Sequence, residues 1–368
     1  VIECEPLYYG SPQVEWPTDE EPCSWEGTLT VHQKRASNEL KELIRTGDGE
    51  KLIWAVCGAG KTEMLFPGIT EALKTGKRLC LATPRTDVVR ELLPRLQQAF
   101  PETKIADLYG GSKDKAGDAS FVIATTHQLY RFARAFDVMI IDELDAFPFH
   151  NDPSLHYAAA RAATENAALI YLTATPRKGQ KKRIRSKSLP VVFIPKRFHG
   201  YPLPVPKFKL TPTLHRHLKR SQLPTSILER IRHQQNSHRQ LLIFLPTKQL
   251  AEKIASYLKS FSFQVEYVHA DDPLRAEKVS AFRAKEYNIL VTTTILERGV
   301  TFPSVDVYIV DASHEVFDEP ALVQIAGRAG RSPEDPTGDV FFFHIGKTNA
   351  MHDAQDAIID MNRLGAKS

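Results

Sequence analysis

The chain has 368 residues, 42% hydrophobic, 25% charged and 9% aromatic, which is enough apolar material for two core domains and too ordinary a mix for wholesale disorder, collagen or a coiled coil. No uninterrupted apolar run approaches the ~18 residues of a membrane helix, and the first residues are rich in carboxylates where a leader would be basic, so neither an integral membrane protein nor a presecretory chain is expected. Four cysteines, Cys4, Cys23, Cys57 and Cys80, are too few to staple a chain of this length and point to a reducing compartment.

The sequence opens at Val1 instead of Met, which suggests residues upstream. Residues 1–24 read as a lead segment, and the first domain is expected over 25–195. Within it, Ile53-Trp-Ala-Val-Cys-Gly-Ala-Gly-Lys-Thr62 runs from an apolar strand through a glycine loop into a helical stretch. That is the context of a phosphate-binding loop. Small residues at Gly58, Ala59 and Gly60 let backbone N–H groups turn inward around phosphate oxygens, Lys61 reaches the β and γ phosphates, and the Thr62 hydroxyl ligates Mg²⁺. A triphosphate site also needs a carboxylate on the metal and a group that orients water. Asp142 and Glu143, at the end of the apolar run Val138-Met-Ile-Ile, are assigned those two roles.

The net charge of +4 hides an uneven distribution. From Arg177 to Arg220 there are fourteen Lys or Arg and no Asp or Glu, so the rest of the chain carries 34 basic against 44 acidic residues. This band holds Pro190, Pro195, Pro202, Pro204, Pro206 and Pro212 with Phe193, Phe198, Tyr201 and Phe208, a composition that resists regular helix and reads as an extended connection, with the linker proper at 196–222. It is either a solvated strap or a surface for the phosphate backbone of nucleic acid, with Lys181, Lys182, Arg183 and Arg185 as the contacts. The aromatics are expected to pack the linker rather than stack on bases. His215 and His217 invite a metal reading but lack a third ligand and are taken as part of the polycation.

A second domain is expected over 223–368, because the first repeats there. Leu79-Cys-Leu-Ala-Thr-Pro84 matches Leu241-Leu-Ile-Phe-Leu-Pro-Thr247, Phe121-Val-Ile-Ala-Thr-Thr126 matches Ile289-Leu-Val-Thr-Thr-Thr294, and Asp137-Val-Met-Ile-Ile-Asp142 matches Asp306-Val-Tyr-Ile-Val-Asp311. Each run is short, apolar and rich in β-branched residues, with helical pattern between, as buried parallel strands of βαβ units are. The fold class is therefore α/β, two domains with parallel sheets flanked by helices. Near the end, Gln324-Ile-Ala-Gly-Arg-Ala-Gly-Arg331 places Arg328 and Arg331 three apart, a spacing that puts both on one face of a helix. Their planar forks suit phosphate oxygens and a charge-spreading transition state.

The series resembles a superfamily 2 helicase or translocase over nearly the whole chain, from Trp25 to about Gly365. Leu29-Thr-Val-His-Gln33 stands as a Q-motif-like start, Ala55–Thr62 as motif I, Thr83-Pro-Arg85 as motif Ia, Asp142-Glu-Leu-Asp145 as motif II, Thr173-Ala-Thr175 as motif III, Leu242–Thr247 as motif IV, Thr292–Gly299 as motif V and Gln324–Arg331 as motif VI. The finer wording, Cys23-Ser-Trp-Glu-Gly-Thr-Leu-Thr30, Gln33-Lys-Arg-Ala-Ser37 and Asp142-Glu-Leu-Asp-Ala-Phe-Pro148, resembles the ComFA family of bacterial competence. The resemblance implies two RecA-like domains with the nucleotide site in the cleft between them. It implies ATP and Mg²⁺ as cofactors, and adds Gln33 on the base, Gly299 and Gln324 in the site, and Arg85 with Thr293 or Thr294 on DNA. It also implies a motor on single-stranded DNA, at the cytoplasmic inner face of the membrane, among other competence proteins. Family members carry a four-cysteine zinc element near the N-terminus; no Cys-x-x-Cys occurs here, so zinc is expected only in an upstream segment. A replication-restart or repair helicase and a nucleotide-gated DNA-binding scaffold are the competing functions.

Overall fold

The computed structural model describes residues 15–112, 114, 116–296 and 301–367. Thr30 ends the extended lead and starts a helix: its hydroxyl accepts the Gln33 N–H while the Gln33 carboxamide oxygen accepts the Thr30 N–H at 2.8 Å, a reciprocal cap. The helix that follows, α1 (Val31–Thr46), buries Ala36, Leu40 and Ile44 at a spacing of four. The lead itself is docked, for the Ser24 N–H donates to Ala99 O at 2.8 Å and the Trp25 ring meets Phe66 edge-on at 5.5 Å.

The chain divides into two compact units, one running through Ala55 and then Gly60–Ile194, the other taking Val56–Ala59 and Pro195 onward. In the first, α1 is followed by β1 (Gly49–Ala55), α2 (Lys61–Lys74), β2 (Leu79–Thr83), α3 (Thr86–Ala99), β3 (Ile105–Leu108), β4 (Phe121–Thr125), β5 (Phe136–Ile141), α4 (Pro153–Ala162), β6 (Ala163–Thr173), α5 (Lys178–Arg185) and β7 (Val191–Ile194). The seven strands form one parallel sheet in the order β3-β4-β2-β5-β6-β1-β7. Every residue of β2 and β4 is buried, as helices on both faces require.

The second unit contains β8 (Lys207–Leu210), α6 (Leu214–Lys219), α7 (Thr225–Gln234), β9 (Gln240–Phe244), α8 (Lys248–Lys259), β10 (Val265–Val268), α9 (Arg275–Arg283), β11 (Ile289–Thr292), β12 (Val305–Val310), α10 (Glu319–Ala326), β13 (Val340–His344) and α11 (Asn349–Ala366). Its six-stranded parallel sheet has the order β10-β11-β9-β12-β13-β8. Strand for strand this repeats the first sheet without β7, and the three matched sequence runs fall on the pairs β2/β9, β4/β11 and β5/β12. Each fully buried Leu, Ile or Val of those runs contributes ~1.5–3 kcal/mol. Among the described residues no helix is long and apolar enough to cross a membrane.

The basic band departs from its sequence reading in two ways. Residues 178–185 form a helix, α5, since no proline occurs between Arg177 and Ser188 and the breakers begin at Pro190. The stretch 196–222 is not a bare linker: β8 pairs with β13, and Leu214 and Leu218 of α6 join the core of the second unit. Phe193 packs on Trp54 at 5.4 Å and Phe208 stacks on Phe342 at 5.7 Å, whereas Phe198 and Tyr201 stay about half exposed.

Candidate nucleotide site

In the first unit β1 and β5 flank β6 and run parallel to it, so the turns that follow them deliver Lys61 and Asp142 to one place. Lys61 Nζ lies 3.7 Å from Asp142 Oδ1. Gly60, with φ +68°, caps α2 without a side-chain bond, at the helix end where N–H groups favour an anion. Thr62 is buried in that turn. Asp142 is fixed by its N–H on Ala82 O at 2.8 Å, and its Oδ1 accepts the Glu143 N–H at 2.8 Å. Glu143 takes a left-handed backbone, φ +53°, an unfavourable conformation for a residue with a Cβ.

Gln33 stands over the same loop: its carboxamide nitrogen donates to Gly60 O at 3.1 Å, while its oxygen is engaged in the α1 cap. The third carboxylate of the run, Asp145, is buried and accepts from the hydroxyls of Thr173 and Thr175, one on each oxygen. The Arg177 fork donates to the Asp145 carbonyl at 3.3 and 3.1 Å. Motifs II and III are thereby one hydrogen-bonded block. A glycine-turned helix start, an ammonium, a buried hydroxyl and a carboxylate are the hard-oxygen and cationic set that a magnesium–triphosphate pair requires, and the residues present fit it.

In the second unit Gly58, φ +79°, and Ala59 continue the phosphate loop, with the Ala59 N–H on Val56 O at 3.1 Å. Gln324 on α10 accepts from Cys57 Sγ at 3.0 Å. Arg328 is buried and Arg331 half-buried, with Arg331 Nε donating to Gly327 O at 3.0 Å. The expectation that both arginines share a helix face is corrected: α10 stops at Ala326, and Arg328 and Arg331 lie in the turn beyond it. Gly327 caps the helix and Gly330, φ +65°, turns the chain out of helical conformation.

The residues assigned to DNA belong to separate elements of the two units. Arg85 caps α3 and pairs with Asp87 at 3.2 Å; Thr293 is buried and Thr294 half-buried at the end of β11. Gly299 lies outside the described residues. Lys181, Lys182, Arg183 and Arg185 all belong to α5, where Arg183 pairs with Glu50 of β1, so the band is not wholly without compensating acid. His215 bonds Asp311 at 3.0 Å and His217 bonds Thr213 O at 2.9 Å, and among the described residues no cluster of three or more His, Cys, Asp or Glu is placed to hold a metal. Cys57 and Cys80 are buried, and burial pushes the Cys80 thiol up. Two features escaped the sequence reading: Arg197, buried in the band, and the fork of Arg239 on Asp335 at 2.8 and 2.5 Å, which holds that carboxyl down at about 2. Neither belongs to a motif, and both depend on partners nearly a hundred or more residues away.

Two family models match the chain, Type III restriction enzyme, res subunit over residues 26–178 and Helicase conserved C-terminal domain over 222–333. Competence protein ComFA of Bacillus subtilis (strain 168) is 46% identical over 367 residues, spanning all of this chain and 79% of the relative. Competence protein ComFA of Streptococcus pneumoniae is 40% identical, spanning 97% of this chain and 82% of the relative. Among solved structures, S. cerevisiae Dbp5 bound to RNA and ADP BeF3 shares the fold with TM-score 0.68 and 18% identity, covering 91% of this chain and 88% of that one. With tandem RecA-like domains carrying both helicase models, the chain is an ATP-hydrolysing enzyme of the helicase and translocase type, and it belongs to the ComFA family of competence proteins.

Proposed function

We propose that the chain hydrolyses ATP to drive movement along single-stranded DNA during competence. The observation that carries the reading is the Lys61–Asp142 pair at the glycine-turned start of α2, followed at once by Glu143. Gly58, Ala59 and Gly60 form the small-residue turn around the phosphates, Lys61 binds the β and γ oxygens, and Gln33, beside Gly60, reads the base edge. Thr62 and Asp142 would hold Mg²⁺, which when bound neutralises charge on the phosphate oxygens. Glu143 orients and deprotonates the attacking water; Gln324, Arg328 and Arg331 answer the charge on the γ phosphate, and Gly299 completes the nucleotide set. Residues 25–195 and 223–368 act as the two motor domains.

Arg85, Thr293 and Thr294 are assigned to the DNA backbone, and other competence proteins at the cytoplasmic face of the membrane are the expected partners. The test is steady-state ATPase with no nucleic acid, single-stranded DNA, duplex DNA and RNA in parallel, beside a translocation and a strand-displacement assay. Stimulation by single-stranded DNA with translocation supports the reading. Strand displacement without translocation favours a repair helicase, and absence of multiple-turnover phosphate release leaves a scaffold. Lys61→Ala is expected to weaken nucleotide binding and hydrolysis together, measured by equilibrium titration and phosphate release.

α5 gives the DNA reading a second test. Changing Lys181, Lys182, Arg183 and Arg185 to Gln is expected to weaken single-stranded DNA binding and flatten its salt dependence, by about 0.7 in the log–log slope for each phosphate that is no longer neutralised. Affinity titrations across salt concentrations check this. An unchanged slope would make the helix a solvated face or a dock for an acidic protein.

A further inference from the structure

Arg197 is the third residue after the division between the units and is 1% exposed. A guanidinium taken out of water needs compensation by other groups, usually a carboxylate. Here the compensation comes from backbone carbonyls. Nη1 donates to Gly330 O, and Nη2 donates to Ala329 O at 2.8 Å and to Gly327 O at 3.3 Å. These carbonyls follow the C-terminal end of α10, where carbonyl groups lack helical partners and the helix dipole is negative, so a cation is favoured there.

The three carbonyls belong to the turn that presents Arg328 and Arg331. Gly327 O is shared, accepting from Arg197 Nη2 and from Arg331 Nε at 3.0 Å. Burial and the neighbouring Arg331 charge together lower Arg197 to about 10. The turn has little room to adjust, since a Cβ on Gly330 would stand 2.2 Å from Pro336 O and 3.0 Å from Arg197 Nη1. On its other side the Arg197 stem lies along Gly58 of the phosphate loop, and the adjacent Phe198 N–H donates to Gly58 O at 3.0 Å.

The geometry points to Arg197 as the positioning residue of motif VI: its fork gathers the Gly327, Ala329 and Gly330 carbonyls and so fixes where Arg331 presents its charge during ATP hydrolysis. This rests on the role given to Arg331 under the proposed function. Arg197 acts through the turn, in the ATPase reaction of the intact chain.

The test is a double-mutant cycle of Arg197→Met and Arg331→Ala, read by kcat and KM for ATP with single-stranded DNA present and by thermal melting. A folded Arg197→Met is expected to lose about 10- to 100-fold in kcat, the scale of an ångström-level misplacement, with KM for ATP changed by less than about threefold. Added to Arg331→Ala, it should cost no more than about a further twofold, because the arginine it positions is gone. Losses that multiply, or wild-type kcat in a folded Arg197→Met, overturn the proposal while leaving Arg331 in its role. Wild-type turnover in Arg331→Ala alone overturns the role of Arg331 and removes the positioning role with it. Should Arg197→Met not fold, Arg197→Lys, which keeps the charge but cannot span three carbonyls, is put through the same cycle against the same criteria.

Discussion

Glu143→Gln is expected to bind ATP and to turn it over about 100-fold or more slowly. The amide keeps the length and shape of the carboxylate but cannot take a proton from water. Asp142, the carboxylate on which Lys61 bears, is unaltered, so the ground-state grip on nucleotide persists. The Glu143 backbone is held at φ +53° with its N–H on Asp142 Oδ1; such a conformation costs a residue with a side chain ~1–3 kcal/mol and persists only where its surroundings impose it. Filter-binding of labelled ATP alongside phosphate release checks the separation of binding from chemistry. Turnover within about threefold of wild type would assign water activation to another group.

Arg331→Ala is expected to retain ATP affinity and to lose roughly 10³ to 10⁵ in turnover, the contribution of an arginine that meets charge developing on a transferring phosphoryl group. Its Nε is committed to Gly327 O, which orients the fork from the root of the turn. Arg331→Lys should recover little, because a point charge cannot reproduce that bond and a bidentate grip together. Rapid-quench single turnover with saturating ATP distinguishes impaired chemistry from slow release. Unimpaired turnover in Arg331→Ala refutes the assignment of phosphate sensing to the second unit.

The fold was legible where physics is local. Buried parallel strands must be short, apolar and β-branched, so the runs at Leu79, Phe121 and Asp137 and their partners at Leu241, Ile289 and Asp306 announced themselves, and the strand orders agree. The glycine loop and the Asp-Glu strand end were legible for the same reason, since phosphate and metal chemistry restrict both residue type and spacing. What failed was nonlocal. Helical spacing placed Arg328 and Arg331 on a face, but a glycine cap at Gly327 and a left-handed Gly330 decide otherwise. Charge density made the basic band look uniform, although Glu50 answers Arg183, Asp339 answers Lys207, and Arg197 is removed from water altogether by carbonyls some 130 positions away.

The repeated strand order gives the His215–Asp311 bond a meaning. By position in the sheet β8 is the counterpart of β1 and β12 that of β5, so Asp311 corresponds to Asp142, and His215, near the start of α6, stands where the start of α2 supplies Lys61. The second copy has kept a nitrogen–carboxylate contact after its strands. It has lost the cradle: between Leu210 and Leu214 run Thr211, Pro212 and Thr213, with no glycine and one N–H missing, and the Thr211 N–H is already spent on His344 O at 2.7 Å. In the first copy the pair stands at a glycine-turned helix start, and in the second it closes on itself at a turn without glycine.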